Sequence, residues 1–278
     1  MNSSNKSESP FPLSTILNVG SFAKDLLFTI GFATRIGIES LYYWPYALKN
    51  WRGTLRQMYI CGIGSLVVVL IVAAFTGMII ATQTGIELKK YGQEAVIGGV
   101  VAISICREMG PFMTGLILAA TVTSSMTAEI GTMAVSEELD ALEVMSISPV
   151  KYLITQRVIA MMIMCPAVTV VTDIVGILGG AVVGVANLDV SFLNYYENAK
   201  FALALNMWPG NIPKDFFTGI IKALVFGYVI SVVGCSQGLT TTNGAMGVGR
   251  STRLSVVYSY LLVIILGYLL TYIFYFAF

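Results

Sequence analysis

From Met58 to Ala81 the chain runs 24 residues without a charge. A helix needs about 20 consecutive apolar residues to cross the hydrocarbon core of a bilayer. No water is available there to satisfy the backbone, and a helix satisfies its own N–H and C=O groups. Ala95–Ala128 with Arg107 and Glu108, Val158–Ala186 with Asp173, Phe216–Gly234 with Lys222, and Leu254–Phe278 are apolar runs of similar length and bring the predicted spans to five. Only 11% of the 278 residues are charged and 56% are hydrophobic, against roughly 25% charged in a soluble domain. The reading is an all-α integral membrane protein, its transmembrane domain covering 56–278.

Met1 to Pro10 is polar and reads as a disordered tail. It has no basic segment followed by an apolar core and a small-residue cleavage site, so no cleaved signal peptide is expected. Residues 11–55 are apolar but interrupted by Lys24, Asp25, Arg35 and Glu39. Leu13, Ile16, Leu17, Leu27 and Ile30 recur at helical spacing, which predicts an interfacial elbow helix, with a tilted sixth span as the alternative. Tyr42, Tyr43, Trp44, Tyr46 and Trp51 beside Lys49, Arg52 and Arg56 mark headgroup depth.

With the N-terminus inside, Lys6, Lys24, Arg35, Lys49, Arg52, Arg56, Lys151, Arg157, Arg250 and Arg253 fall on the cytoplasmic side. Lys89, Lys90, Lys200 and Lys214 fall opposite. Positive residues concentrate inside, so the N-terminus and the segment after span two are expected in the cytoplasm, and Phe278 in the periplasm. The net charge of +1 removes a nucleic-acid reading based on bulk basicity. Histidine is absent, and with it the commonest general base and metal ligand. Cys61, Cys106, Cys165 and Cys235 lie far apart in apolar runs and read as small buried hydrophobes. No internal repeat is evident, which argues against an inverted-repeat secondary transporter.

Four segments carry mechanism. Arg107-Glu108 lies inside span two, where a charge is tolerated only with a partner helix or facing a wet cavity. Pro111, four residues on, predicts a kink or break. Glu129, near the end of the same span, either pairs with the following short helix or is simply solvated. Ser136 to Ile147 reads as that helix: Ser136 as N-cap, Glu137, Glu138 and Asp140 at the positive end of the dipole, and Ser148-Pro149 as the stop. Leu139, Leu142 and Met145 form a narrow apolar stripe that suits a groove on a partner protein. Gly176, Gly179, Gly180 and Gly184 in span three predict close helix packing, with a dimer contact left open.

Two further segments frame the outer and inner connections. Asn187 to Pro213, with Phe192, Tyr195, Tyr196, Phe201 and Trp208, is expected on the outer membrane face. Gly244 to Ser251 fits G-x-x-x-x-G-[KR]-S. A phosphate-binding loop joins a strand to a helix in a soluble domain, whereas this stretch links two spans, so a tight cytoplasmic turn is the reading.

C-R-E-M-G-P (106–111), T-A-E-I-G-x-M (127–133), E-E-L-D-A-L-E-V-M (137–145) and the G-V-G turn (247–249) occur together, in an order that resembles the MlaE family of ABC-transporter permeases. The resemblance covers about residues 55–278. It implies a homodimeric permease of the bacterial inner membrane that moves phospholipid between inner and outer membranes. It further implies a separate ATP-binding subunit and a periplasmic substrate-binding protein of the mammalian-cell-entry type, with no cofactor held by the permease itself. Glu137, Glu138, Leu139, Asp140, Leu142, Glu143 and Met145 would contact the ATPase. Arg107, Glu108 and Met109 would sit at the lipid cavity, approached by Ile80, Leu88 and Tyr91. Ala119 to Ser124 departs from the family's common A-G-R-x-G-S, lacking its arginine and glycines. A secondary transporter or channel is the alternative, supported only by Asp173. A membrane-embedded lipid enzyme lacks a paired-carboxylate or Ser-His constellation.

Overall fold

A computed structural model describes residues 29–205, 207–208 and 212–277. The predicted tail and residues 11–28 of the predicted elbow lie outside the described residues. Helix α1 covers 29–42, and after a break at Tyr43 α2 runs Trp44–Lys49. Pro45 sits in the first turn of α2, where its missing N–H is one of the unpaired donors anyway. The first span starts at Trp51, inside the segment read as elbow. The aromatic cluster is knitted to the rest of the chain by cations. Lys151 Nζ lies 5.1 Å from the Tyr46 ring and 5.7 Å from Tyr43, and Arg52 sits over Trp51 at 5.8 Å.

Among the described residues, five helices are long and apolar enough to cross a membrane: Trp51–Lys90, Glu94–Val135, Val150–Asn187, Lys214–Leu239 and Gly244–Phe276. Each outruns its apolar core, because a helix continues through the headgroups once nucleated. The fifth shows this best. Asn243, in the left-handed region at φ 67°, makes the turn, and Gly244 to Ser251 is already helix. The resemblance to a phosphate loop is therefore a helix start, and the tight turn lies before Gly244 instead of within 244–249.

Between membrane helices apolar burial gives little drive, so close van der Waals approach has to hold them. The small residues serve that end within the chain. A Cβ on Gly77 of the first span would collide with the Gly176 carbonyl, and one on Gly179 with that of Ala74. Gly180 and Gly184 leave room for the Tyr195 ring. One apolar cluster, including Leu118, Ile130, Val158, Met161 and Phe226, joins spans two to five. A second, with Ala81, Ile97, Val101, Ile105 and Tyr195, closes the opposite end.

The second span does not break at Pro111. It widens instead into a π-turn at Ile105–Met109, where Gly110 N–H bonds to Ile105 O five residues back. Pro111 occupies the first turn of the α-helix that resumes, so its lost donor is absorbed at the shift in the bonding ladder. A second π-turn covers Ala119–Thr123, the stretch that departs from A-G-R-x-G-S. In the connection from span three to span four, a helix runs Phe192–Leu205, followed by a two-residue hairpin of β1 (Met207–Trp208) and β2 (Ile212–Pro213). Tyr195 anchors the helix, its hydroxyl donating to Ile177 O at 3.1 Å, and burial pushes the phenol up from its ordinary range. Phe192, Tyr196 and Phe201 stay exposed.

Candidate functional site

The π-turn places two adjacent charges against the fourth span. Arg107 donates from Nε and Nη2 to Asp215 Oδ1 at 2.9 and 2.8 Å. The same oxygen accepts the Tyr275 hydroxyl at 2.7 Å, and the guanidinium lies 4.4 Å from the Tyr275 ring centre. Lys214 Nζ approaches that ring at 5.2 Å. Two turns further along the fourth span, Lys222 Nζ donates to Glu108 Oε1 at 2.6 Å and to Arg107 O at 3.0 Å. Thr271 of the fifth span donates to Glu108 Oε1 at 2.9 Å.

Exposure divides this network into an inner and an outer half. The Asp215 and Lys222 side chains are 0% and 1% exposed, whereas Arg107 and Glu108 retain 31% and 35%. Sealed charges of opposite sign hold the inner half, since a buried charge without its partner is costly. The outer half can still meet a polar ligand. Arg107, Lys214 and Lys222 against Glu108 and Asp215 leave one positive charge in excess. The partner-helix reading of the Arg107-Glu108 pair is met by the fourth span, and both side chains keep part of their surface exposed.

Among the described residues, none of Ile80, Leu88 and Tyr91 is bonded to either charge. Ile80 and Leu88 pack on the Ile97–Val101–Ile105 cluster beside the π-turn. Tyr91 is exposed just beyond the first span, and Met109 is partly exposed on the π-turn itself. Sequence reasoning missed Asp215 and Tyr275. The signal for Asp215 was its spacing of seven from Lys222, which puts both on one helix face.

At the other end of the bundle, Glu129 Oε2 pairs with Arg157 Nη2 of the third span at 3.0 Å, and not with the short helix. Arg157 is 2% exposed, so it is a core residue and not one of the loop cations. The short helix runs Glu138–Val144 between two left-handed residues, Glu137 (φ 62°) and Ser146 (φ 60°). Ser146 N–H bonds to Glu143 O and Ile147 N–H to Leu142 O, a Schellman stop that acts before Pro149 is reached. Ser136 is not the cap: its hydroxyl donates back to Thr132 O, closing the second span. The apolar stripe also divides. Leu139 is buried and Leu142 packs half-buried on the chain's own core, while Met145 is exposed. A stripe at this spacing turns toward the nearest apolar surface, here the bundle. The residues left outward are Glu137, Glu138, Asp140, Glu143, Val144 and Met145.

Five membrane helices with a paired charge network at one end and a short acidic helix at the other define a multi-pass helical membrane protein. The family model "Permease MlaE" matches residues 54–273. A probable ABC transporter permease protein of Rickettsia prowazekii is 38% identical over 256 residues, covering 89% of this chain and 95% of that one. Another, of Synechocystis, is 40% identical over 227 residues, covering 81% and 82%. The chloroplastic protein TRIGALACTOSYLDIACYLGLYCEROL 1 of Arabidopsis thaliana is 38% identical over 222 residues, covering 80% of this chain and 61% of that one. The chain belongs to the MlaE permease family, and it is an ABC transporter permease.

Proposed function

We propose that this permease moves phospholipid between the inner and outer membranes of a bacterium. In this reading it is a homodimer of the inner membrane that holds no ATP site, driven by a separate ATP-binding subunit and served by a periplasmic mammalian-cell-entry-type protein. The N-terminus and the 138–144 helix then face the cytoplasm and the chain's end the periplasm, in keeping with the Lys/Arg distribution. With Arg157 removed from the count, nine cations still stand against four.

The observation that carries the cargo reading is the half-open charge network, with its excess positive charge beside the π-turn. A phosphate is matched by a guanidinium that keeps free N–H groups, and acyl chains by the apolar residues around it. A relative is named for a diacylglycerol lipid, which shares the acyl chains though not the phosphate. Photocrosslinking amino acids at Met109, Leu88 and Tyr91 in the assembled transporter are expected to capture phospholipid several-fold more than one at Phe192, which samples bulk lipid. Equal capture at all four positions would place the cargo elsewhere.

The ATPase-facing surface is read from the residues that the short helix leaves exposed. Glu138→Lys, Asp140→Lys and Glu143→Lys together are expected to cut co-purification of the ATP-binding subunit by about tenfold, or roughly 1.4 kcal/mol. Membrane insertion should survive. Leu139→Arg should instead destabilise the permease itself, because Leu139 faces its own core. Unchanged co-purification in the triple variant would remove the helix from the interface.

A further inference from the structure

The third span holds a carboxyl that the charge network does not use. Asp173 lies in the middle of the helix Thr155–Asn187, is 3% exposed, and its buried Oδ1 has no hydrogen-bond partner. Among the described residues, the cations that form salt bridges are engaged elsewhere: Lys90 with Glu87, Arg107 with Asp215, Arg157 with Glu129 and Lys222 with Glu108.

The surroundings of Asp173 are built by three neighbouring spans. From the second span, Gly110 makes room, since a Cβ there would collide with Asp173 Oδ1 and lie 3.1 Å from Ile105 O. Thr114 is hydrogen-bonded to the neighbouring Thr172 at 2.8 Å. On the fourth span the charged groups are already paired, Asp215 with Arg107 and Lys222 with Glu108. The first span contributes Ala73, Thr76 and Gly77, none of them titratable. A small apolar cavity of about 10 Å³, bounded by Thr76, Ile105, Met109, Gly110, Thr172 and Gly176, adjoins Gly110 without reaching Asp173, and offers a water no set of polar partners. An ionised carboxylate enclosed this way, with no counter-charge and no donor, is far less stable than the neutral acid.

We propose that Asp173 is a proton-binding site of the transport cycle, occupied in the conformation seen here and emptied when the 105–109 π-turn moves away from it. In the step, the Asp173 O–H bond breaks, its electron pair stays on the carboxylate, and the proton passes to a water entering beside Gly110. The π-turn supplies the means. Regularising it to α-helix removes one residue from the turn and rotates the downstream helix by roughly 100°. Gly110 would swing off Asp173, and Arg107 and Glu108 would shift with it. Proton release is thereby tied to the residues of the charge network.

The direction of the pH effect is set by the conformation that holds the proton. The conformation seen here binds it, whereas a hydrated Asp173 behaves as an ordinary carboxyl and is ionised at neutral pH. Raising the pH therefore favours the opened conformation and lowering it favours this one. For one proton the equilibrium shifts by at most about tenfold per pH unit.

The functional half of this proposal rests on the permease reading; the protonation itself does not. Infrared difference spectra of the purified permease in lipid nanodiscs, wild type minus Asp173→Asn, test the protonation without transport. A protonated-carboxyl C=O band at neutral pH that disappears in the variant is expected, and its absence overturns the proposal. Reconstituted with its ATP-binding subunit, the wild type should show a lipid-transfer rate that varies with pH and Asp173→Asn a flattened profile. Identical profiles overturn the role in the cycle even where the band is present. A failure of the variant to transport lipid at any pH, with the band present, overturns that role too, since a permanently neutral residue should retain the protonated conformation's activity.

Discussion

Gly77→Leu is expected to separate the first span from the third and leave little folded protein. Even a Cβ at Gly77 collides with the Gly176 carbonyl, and a backbone atom cannot swing aside as a side chain does. Its neighbours offer no slack, because Gly179 meets the Ala74 carbonyl in the same way. Overpacking a tight contact costs about 1–3 kcal/mol, and more where backbone is struck, so a loss of about 3 kcal/mol or more is expected. Thermal unfolding in detergent, followed by gel filtration, measures it. Gly64→Leu on the same span is the control, since a Cβ there meets open space and the change should stay within about 0.5 kcal/mol. Equal losses in the two variants would mean that the Gly77 contact is not what joins these helices.

The second large effect is expected at Lys222. Lys222→Met takes the Nζ donor from Glu108 Oε1, which keeps only Thr271, and from the Arg107 carbonyl. Removing one partner of a fully buried pair costs about 3–5 kcal/mol, but the Glu108 left behind is 35% exposed, so a smaller loss of about 1–3 kcal/mol is expected, most of it avoided when both partners go. The double variant Glu108→Gln, Lys222→Met should therefore recover most of the lost thermal stability. It should not recover lipid transfer, which in this reading needs the charged, partly exposed Glu108 beside Arg107. A double variant that transports at the wild-type rate would reduce the network to a structural tie. One as unstable as the single variant would show that Lys222 acts through packing and not through its charge.

The number of spans was legible because an apolar run of this length has no other stable use, even where it carries one or two charges. Their ends were less so: Gly244 to Arg253 is polar enough to read as a turn, yet it continues the fifth helix. Pro111 announced an irregularity but not its kind, since a π-turn inserts one residue without any change in composition. The close packing of Gly176, Gly179 and Gly180 was readable from residue size. Its partners, Gly77, Ala74 and Tyr195, belong to elements distant in the chain and leave no local trace. The stripe Leu139, Leu142 and Met145 showed that a face is apolar, not what it faces. Arg107 and Glu108 stood out because charge is rare in such a run. Asp215 did not, because an acid at the start of a helix is ordinary. Glu129 had its partner 28 positions downstream, beyond the reach of helical spacing.

The pairing of Arg107 with Asp215 and of Glu108 with Lys222 also has a consequence for synthesis. The partners are 108 and 114 residues apart, and Thr271, which completes Glu108's bonds, comes 163 residues later. At about 5–20 residues per second of elongation, the ribosome needs several seconds to roughly twenty to reach Asp215 once Arg107 has been made. During that interval the second hydrophobic segment presents two unmatched charges to the insertion machinery. The nascent helix must therefore wait at the translocon's aqueous side or be held by an insertase until the fourth helix arrives, and its lateral release into lipid becomes a late event set by the length of the chain between the partners.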